Sequence, residues 1–362
     1  MMKSLPCFPL SLKILLTFPI LSILACSTIQ AEETLPEPPE GTFSIVVIPD
    51  TQSYQRSSSI SDDDTLENPI FSRHIDWITE NLSKHNVAFV SHVGDIVDKN
   101  VPQQWECAQR CMNRLHGKVP YGISVGNHDM TADGDSSLFQ QMFPAKRFET
   151  MSWYGGSYQP VEAQAGHSTN NANSFQLFTA EDIDFVFLHL ECNAPDDVLA
   201  WADQILKRYA DRKAIVTSHM GLGPLVKPTS NEGYVDSPKG RMRWKKIHGD
   251  AGNSPDQMWE KCFRKHPNLI LVCCGDQSRT QSMHLASVGD HGNTVYQVLS
   301  DYSTGWLRLY RFHPQENRIE AWTFDPTSEQ LCTSAEYAQA RSLNQFSFSV
   351  PLFEATLTNR DN

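Results

Sequence analysis

Short apolar, β-branched runs recur along this chain, and each stops at a residue able to bind a cation. Phe43-Ser44-Ile45-Val46-Val47-Ile48-Pro49 ends at Asp50, and Val87-Ala88-Phe89-Val90-Ser91-His92-Val93 ends at Gly94-Asp95. Val119 to Val125 leads into Gly126-Asn127-His128-Asp129, Ala214 to Ser218 into His219, and Leu269 to Cys274 into Gly275-Asp276. Runs of this length and composition read as buried strands, and Phe185 to Leu190 is another. Between them lie stretches with helical spacing: about Pro69 to Lys84, where Ile75, Ile78 and Leu82 share a face, then Gln103 to Leu115, Asp197 to Tyr209 and Gln257 to Lys265. Strands alternating with helices predict a layered α/β fold with helices covering the sheet. Ligands of such sheets collect beyond the carboxyl ends of the strands. The pattern therefore predicts that Asp50, Asp95, Asn127, His219 and Asp276 converge at one sheet edge.

A single Asp after a strand says little, because Asp also caps helices and starts turns. Gly126-Asn127-His128-Asp129 asks for more: a turn glycine, an amide oxygen, an imidazole and a carboxylate in succession. Gly94-Asp95-Ile96-Val97-Asp98 adds a glycine that permits close backbone approach, with two carboxylates three residues apart. His92 and His189 sit within apolar strands and read as hydrogen-bonded core histidines rather than ligands.

These motifs resemble those of the calcineurin-like metallophosphoesterases, whose ordered pattern is D-x-H, G-D-x-x-D, G-N-H-D/E, a lone His, and G-H-x-H. Here they stand as Asp50-Thr51-Gln52, Gly94 to Asp98, Gly126 to Asp129, His219, and Gly275-Asp276-Gln277-Ser278, spread over roughly residues 43 to 325. The text around them is similar to a bacterial exported subgroup. The resemblance implies a layered β-sandwich flanked by helices and a centre of two divalent metal ions. Asp95 would bridge the ions. Asn127, His219 and Asp276 would complete one site, and Asp50, Gln52 and Ser278 would face the other. His128 would act near the leaving group and Asp129 would orient it. Two cations about 3.5–4 Å apart can clamp a phosphoryl group and activate water. Carboxylate, amide and imidazole ligands together suit Mn, Fe, Zn or Ni. The departures from the pattern are Gln52, Asp276 and Ser278, each standing where the family has histidine. A carboxylate substitutes credibly for an imidazole, so the site of Asp95, Asn127, His219 and Asp276 is expected to be intact and the one facing Gln52 and Ser278 to be weak. His284 or His291 could fill the gap. Arg279 reads equally as a phosphate ligand and as a solvent-exposed arginine.

The 362 residues carry a formal charge of −12, which argues against broad nucleic-acid binding, since that needs clustered Lys and Arg. A small phosphorylated substrate stays compatible, because a metal supplies positive charge locally. Residues 1–31 read as an export signal, with Lys3 and Lys13 ahead of the apolar run Ile14 to Ala25. Lipidation of Cys26 and cleavage after Ala31 are both open, which places the mature chain outside the cytoplasm or on the cell envelope. Residues 32–41 form an acidic Pro-rich spacer, 42–325 the phosphoesterase domain, and 326–362 an extension whose Phe346 to Val350 alternates like an added strand. The nine cysteines show no paired C-x-x-C zinc pattern, and most read as small buried apolar residues. Two functions follow. One is hydrolysis of a phosphomonoester or phosphodiester by metal-activated hydroxide. The other is a non-catalytic cell-envelope binding protein on the same scaffold. The loops Ser57 to Asp64 and Ser152 to Asn173 bear on the choice, through whether they leave the strand ends open.

Overall fold

The computed structural model describes residues 33–56, 66–160 and 170–353. The export segment with Cys26, the Ser57 to Asp64 loop and residues 161–169 lie outside the described residues. The principal strands are β1 (Phe43–Ile48), β2 (Val87–His92), β3 (Tyr121–Ile123), β4 (Tyr154–Ser157), β5 (Ser174–Ala180), β6 (Ile183–Leu190) and β7 (Lys213–Ser218). They continue as β8 (Leu269–Cys274), β9 (Ser282–Val288), β10 (Thr294–Ser300), β11 (Leu307–His313), β12 (Arg318–Phe324) and β13 (Phe346–Ser349). The longer helices packed on them are α1 (Pro69–Asn81), α2 (Pro102–Asn113), α3 (Asp196–Arg208) and α4 (Pro255–Lys261).

Two mixed sheets result, in the orders β13-β12-β11-β1-β2-β3 and β9-β10-β8-β7-β6-β5-β4. Alternation within each strand decides what each face meets. Phe43, Ile45 and Val47 of β1 and Phe89 of β2 turn toward the other sheet, where Phe185, Phe187, Ile215 and Leu271 receive them. Aromatic rings hold that seam, with Phe89 stacked on Phe178 at 4.9 Å and Phe43 edge-on to Phe185 at 5.6 Å. The alternate residues Val46, Ile48 and Val90 face outward into Phe71, Ile75 and Ile78 of α1 and Trp105, Ala108 and Met112 of α2. On the far side, Val198, Leu199 and Leu206 of α3 and Trp259 of α4 cover Val186, Leu188, Val216 and Val272. Both faces of the central strands are thus buried, and each such side chain contributes about 1.5–3 kcal/mol. The architecture is helix, sheet, sheet, helix. Local signals set the helix starts: the Asn68 side chain accepts from Phe71 N ahead of Pro69, and Ser254 with Gln257 forms a capping box on α4.

One expectation needs correcting. The strand-end residues do not share one sheet: Asp50, Asp95 and Asn127 follow β1, β2 and β3, while His219 and Asp276 follow β7 and β8. Each trio or pair of strands is internally parallel. Packed face to face, the two parallel cores present their carboxyl ends at the same edge of the sandwich, which is why residues from both sheets meet. Residues 33–41, expected as a spacer, lie against the body. Leu35 is buried, Arg311 Nη2 donates to Pro36 O at 2.8 Å, and Leu331 N donates to Glu33 O at 2.8 Å. β13 pairs antiparallel with β12. The seven cysteines among the described residues are free and buried.

Candidate metal centre

Asp95 is the hub. It leaves β2 through Gly94 at φ +105 and itself has φ 50, a left-handed backbone unusual for Asp. Gly126, at the end of β3, comes so close that a Cβ there would lie 2.2 Å from Asp95 N. Both glycines therefore serve close approach of the two loops. Asp95 Oδ1 accepts from His128 N at 2.9 Å, and Oδ2 accepts from Gln52 Nε2 at 2.7 Å. Gln52, expected as a ligand, thus presents its amide N–H to the hub carboxylate. His219 Nδ1 lies 3.0 Å from Val93 O. A carbonyl only accepts, so Nδ1 carries a proton, and in the neutral ring Nε2 keeps its lone pair. That Nε2 faces Asp95 Oδ1 at 3.2 Å and Asp276 Oδ1 at 3.8 Å.

Asp50, Asp95 and His219 offer ligand atoms that all lie within 4.8 Å of one another, and all three residues are buried. Asp50 Oδ1 and His219 Nε2 have no hydrogen-bond partner. Burial, together with Asp301 and Asp95, holds the Asp50 carboxyl well above its ordinary value. Burial also pushes Asp301 up to about 7, with Asp95 adding to it. Burial works against Asp95 ionising, yet His219 and the His128 N–H hold its pKa down. Conversely, Asp95 holds His219 above its ordinary value against the effect of burial. Several buried carboxylates with orphaned oxygens, beside an imidazole lone pair, fit a divalent cation.

Asn127 and Asp276 meet through a residue the sequence reading passed over. Lys246 Nζ donates to Asn127 Oδ1 at 2.9 Å and to the Asp276 carboxylate. Burial pulls this lysine below its ordinary value, while Asp95 pulls it up. Asp276 shares the left-handed backbone of Asp95, at φ 66. Asp129 does something other than orient His128. Its Oδ1 accepts from Ile96 N at 2.8 Å and Val97 N at 3.1 Å, and its Oδ2 from Gly126 N at 2.7 Å. It clamps the Asp95 loop to the Asn127 loop. Burial and Asp95 push its carboxyl up to about 7, opposed by those N–H groups. The His128 ring is held instead by Asp98 O, 2.7 Å from Nδ1.

Above the centre opens a cleft of about 250 Å³, lined by Asp50, Gln52, Asp95, His128, Asp276, Ser278, Arg279 and Asp301, with Lys227, Tyr234, Trp244 and Lys246 on the other wall. The Arg279 guanidinium rests 5.3 Å from the Tyr234 ring, and Lys227 lies 5.0 Å from Trp244. His284 and His291 are exposed and absent from this lining, so neither fills the gap left by Ser278. His92 and His189 are core residues, bonded to Thr51 at 3.1 Å and to Gln176 at 2.8 Å. Two signals could have found the missed residues. Arg241-Met242-Arg243-Trp244-Lys245-Lys246 is a basic, aromatic run in an acidic chain, and Asp301 directly follows the apolar strand Thr294–Ser300.

A family model described as calcineurin-like phosphoesterase matches residues 43–252. The uncharacterized protein YvnB of Bacillus subtilis (strain 168) is 26% identical over 302 residues, covering 80% of this chain and 20% of that protein. Purple acid phosphatase PPD1 from yellow lupin (Lupinus luteus) seeds superposes with a TM-score of 0.49 at 12% identity, over 87% of this chain and 55% of that one. GAP50, the anchor in the inner membrane complex of Plasmodium, gives 0.44 at 10% identity, over 86% and 90%. This chain spans a fifth of the Bacillus relative and about half of the lupin protein. The family match takes in β1, β2, β3 and β7 with the residues that end them, Asp50, Asp95, Asn127 and His219, and extends over more than half of the chain. The chain belongs to the calcineurin-like phosphoesterase family.

Proposed function

We propose that this chain hydrolyses a small phosphoester with the help of a divalent metal ion held at Asp50, Asp95 and His219. The carrying observation is that trio of buried ligands, two of them with unpartnered atoms, at the floor of a cleft whose walls also bring Lys227, Lys246 and Arg279. A divalent ion in such a place supplies Lewis-acid polarisation of a phosphoryl oxygen and makes water acidic; the mixed donors suit Mn, Fe, Zn or Ni. The chain's own residues do the rest. Arg279 and Lys227 attract the phosphate from the cleft walls, Arg279 by paired hydrogen bonds. Gln52 Nε2 and His128 N fix the Asp95 carboxylate. His128, its Nδ1–H given to Asp98 O, turns Nε2 to the cleft, where as imidazolium it would protonate the departing oxygen. The cleft's size favours a small phosphorylated molecule over a polymer, and the net charge of −12 supports that reading. We place the reaction in one catalytic domain, about residues 42–325, outside the cytoplasm, on the charge and hydropathy of the N-terminal segment.

A second reading, a binding protein that kept the scaffold, is favoured by one observation: Gln52 and Lys246 both meet the centre's oxygen atoms with N–H groups. Hydrolysis of p-nitrophenyl phosphate and bis-p-nitrophenyl phosphate with added Mn separates the two. Turnover that disappears in Asp95→Asn supports the hydrolase. Wild-type protein that holds metal yet leaves both esters, and a nucleotide panel, untouched would establish the binding protein instead.

A further inference from the structure

Lys246 stands where a second metal ion would have to stand. Its Nζ bonds Asn127 Oδ1 at 2.9 Å and the Asp276 carboxylate, the two oxygens that the far side of the centre offers. A metal such as zinc sits about 2.0–2.2 Å from an oxygen ligand, and an ammonium about 2.7–2.9 Å. The two cations need the same small volume and repel each other. The lysine is also built in, not a stray surface chain. Asn193 Oδ1 accepts from Lys246 N at 2.9 Å and from Ile247 N at 3.1 Å, while Asn193 Nδ2 donates to Asn253 O at 2.9 Å. The Trp244 ring flanks the ammonium, 5.2 Å away. On the near side, by contrast, Asp50 Oδ1 and His219 Nε2 stay buried and unpartnered beside Asp95.

We propose that the centre is a hybrid, with one divalent ion at Asp50, Asp95 and His219 and the Lys246 ammonium in place of a second ion at Asn127 and Asp276. This rests on the reading of the cluster as a metal centre. The lysine then offers the substrate a hydrogen-bonding cation rather than a coordinating one, so it positions a phosphoryl oxygen without activating water.

Equilibrium dialysis of the full chain against Mn or Zn, followed by elemental analysis, tests this. Wild type binds one equivalent and Lys246→Met binds two. Two equivalents in wild type, or one in Lys246→Met, overturns the proposal. Should Lys246→Met fail to fold, a wild-type crystal grown with the metal decides. One anomalous peak with Nζ between Asn127 and Asp276 supports the hybrid, and two peaks refute it. Wild type that binds one ion but hydrolyses no ester supports the hybrid centre and removes the hydrolase reading. Wild type that binds none overturns both.

Discussion

Asp129 is the residue on which the centre's shape depends most, and Asp129→Asn measures that dependence. Its carboxylate is fully buried and accepts three backbone N–H groups, two on Oδ1 from Ile96 and Val97 and one on Oδ2 from Gly126. An asparagine can keep the Oδ1 pair with its amide oxygen. It must then turn an NH₂ toward Gly126 N, so one charge-assisted bond is lost and two donors face each other. A hydrogen bond to a charged group contributes about 1.5–3 kcal/mol, and leaving a buried donor unsatisfied costs a similar amount. The expected loss of stability is therefore roughly 2–3 kcal/mol. Asp129→Ala, which strands all three donors, would lose roughly 5 kcal/mol, much of the total for a typical domain. Urea unfolding at fixed metal concentration reads both values, since a midpoint shift at constant slope reports stability. Metal content should fall in parallel, because the clamp joins the Asp95 and Asn127 loops. The reasoning fails if Asp129→Asn unfolds at the wild-type midpoint, holds metal normally, and loses only turnover. That pattern would return Asp129 to a role through His128.

Asp301→Asn removes a buried charge beside Asp50, and metal affinity in a competition titration with a chelator should weaken roughly 10–100-fold, as for other groups behind a ligand; unchanged affinity would exclude Asp301 from the centre. Acid sensitivity offers a test far from the chemistry. Burial lowers His74 to about 4, despite its bond to Gly305 O. The unfolded chain therefore takes up this proton near the ordinary value of 6.5 while the folded chain refuses it. The stability from neutral His74 is full above 6.5 and is lost as pH falls from there toward 4. Between pH 7.5 and 5.5, wild type should lose about 1.4 kcal/mol more than His74→Gln, measured by urea midpoints; equal losses would show that His74 titrates normally when folded.

What the sequence made legible follows from how locally each feature is encoded. β8 was readable to the residue at Leu269–Cys274, and β7 to within one at Lys213–Ser218, because strands buried on both faces need uninterrupted apolar runs. The same property hid the sheet partition. With no polar face to break the alternation, nothing local says that β7 and β8 belong to a different sheet from β1. Asp50, Asp95 and His219 were readable because a strand end fixes its own neighbour. Gln52 was not, since an amide can present either oxygen or N–H, and only the Asp95 carboxylate across the loop decides. Lys246 lies far along a connection between β7 and α4, and its reach to Asn127 depends on the Asn193 anchor at the end of β6. Such a contact has no sequence period.

The departures from the family pattern make sense as a linked set. An aspartate where the family has a neutral imidazole would leave Asp276 as one more buried anion near Asp50, Asp95 and Asp301. An isolated buried lysine would be as costly in the opposite sense, since a buried charge is tolerated only when paired. Placed against each other, Asp276 and Lys246 neutralise both penalties, and the pair closes one half of the centre with chain atoms alone. On the hybrid-centre proposal, the half that loses its metal is that of Asn127 and Asp276 rather than that of Gln52 and Ser278. The side that kept an aspartate and a histidine in contact with the hub retains its open ligand atoms. The side that exchanged histidine for aspartate carries its own cation.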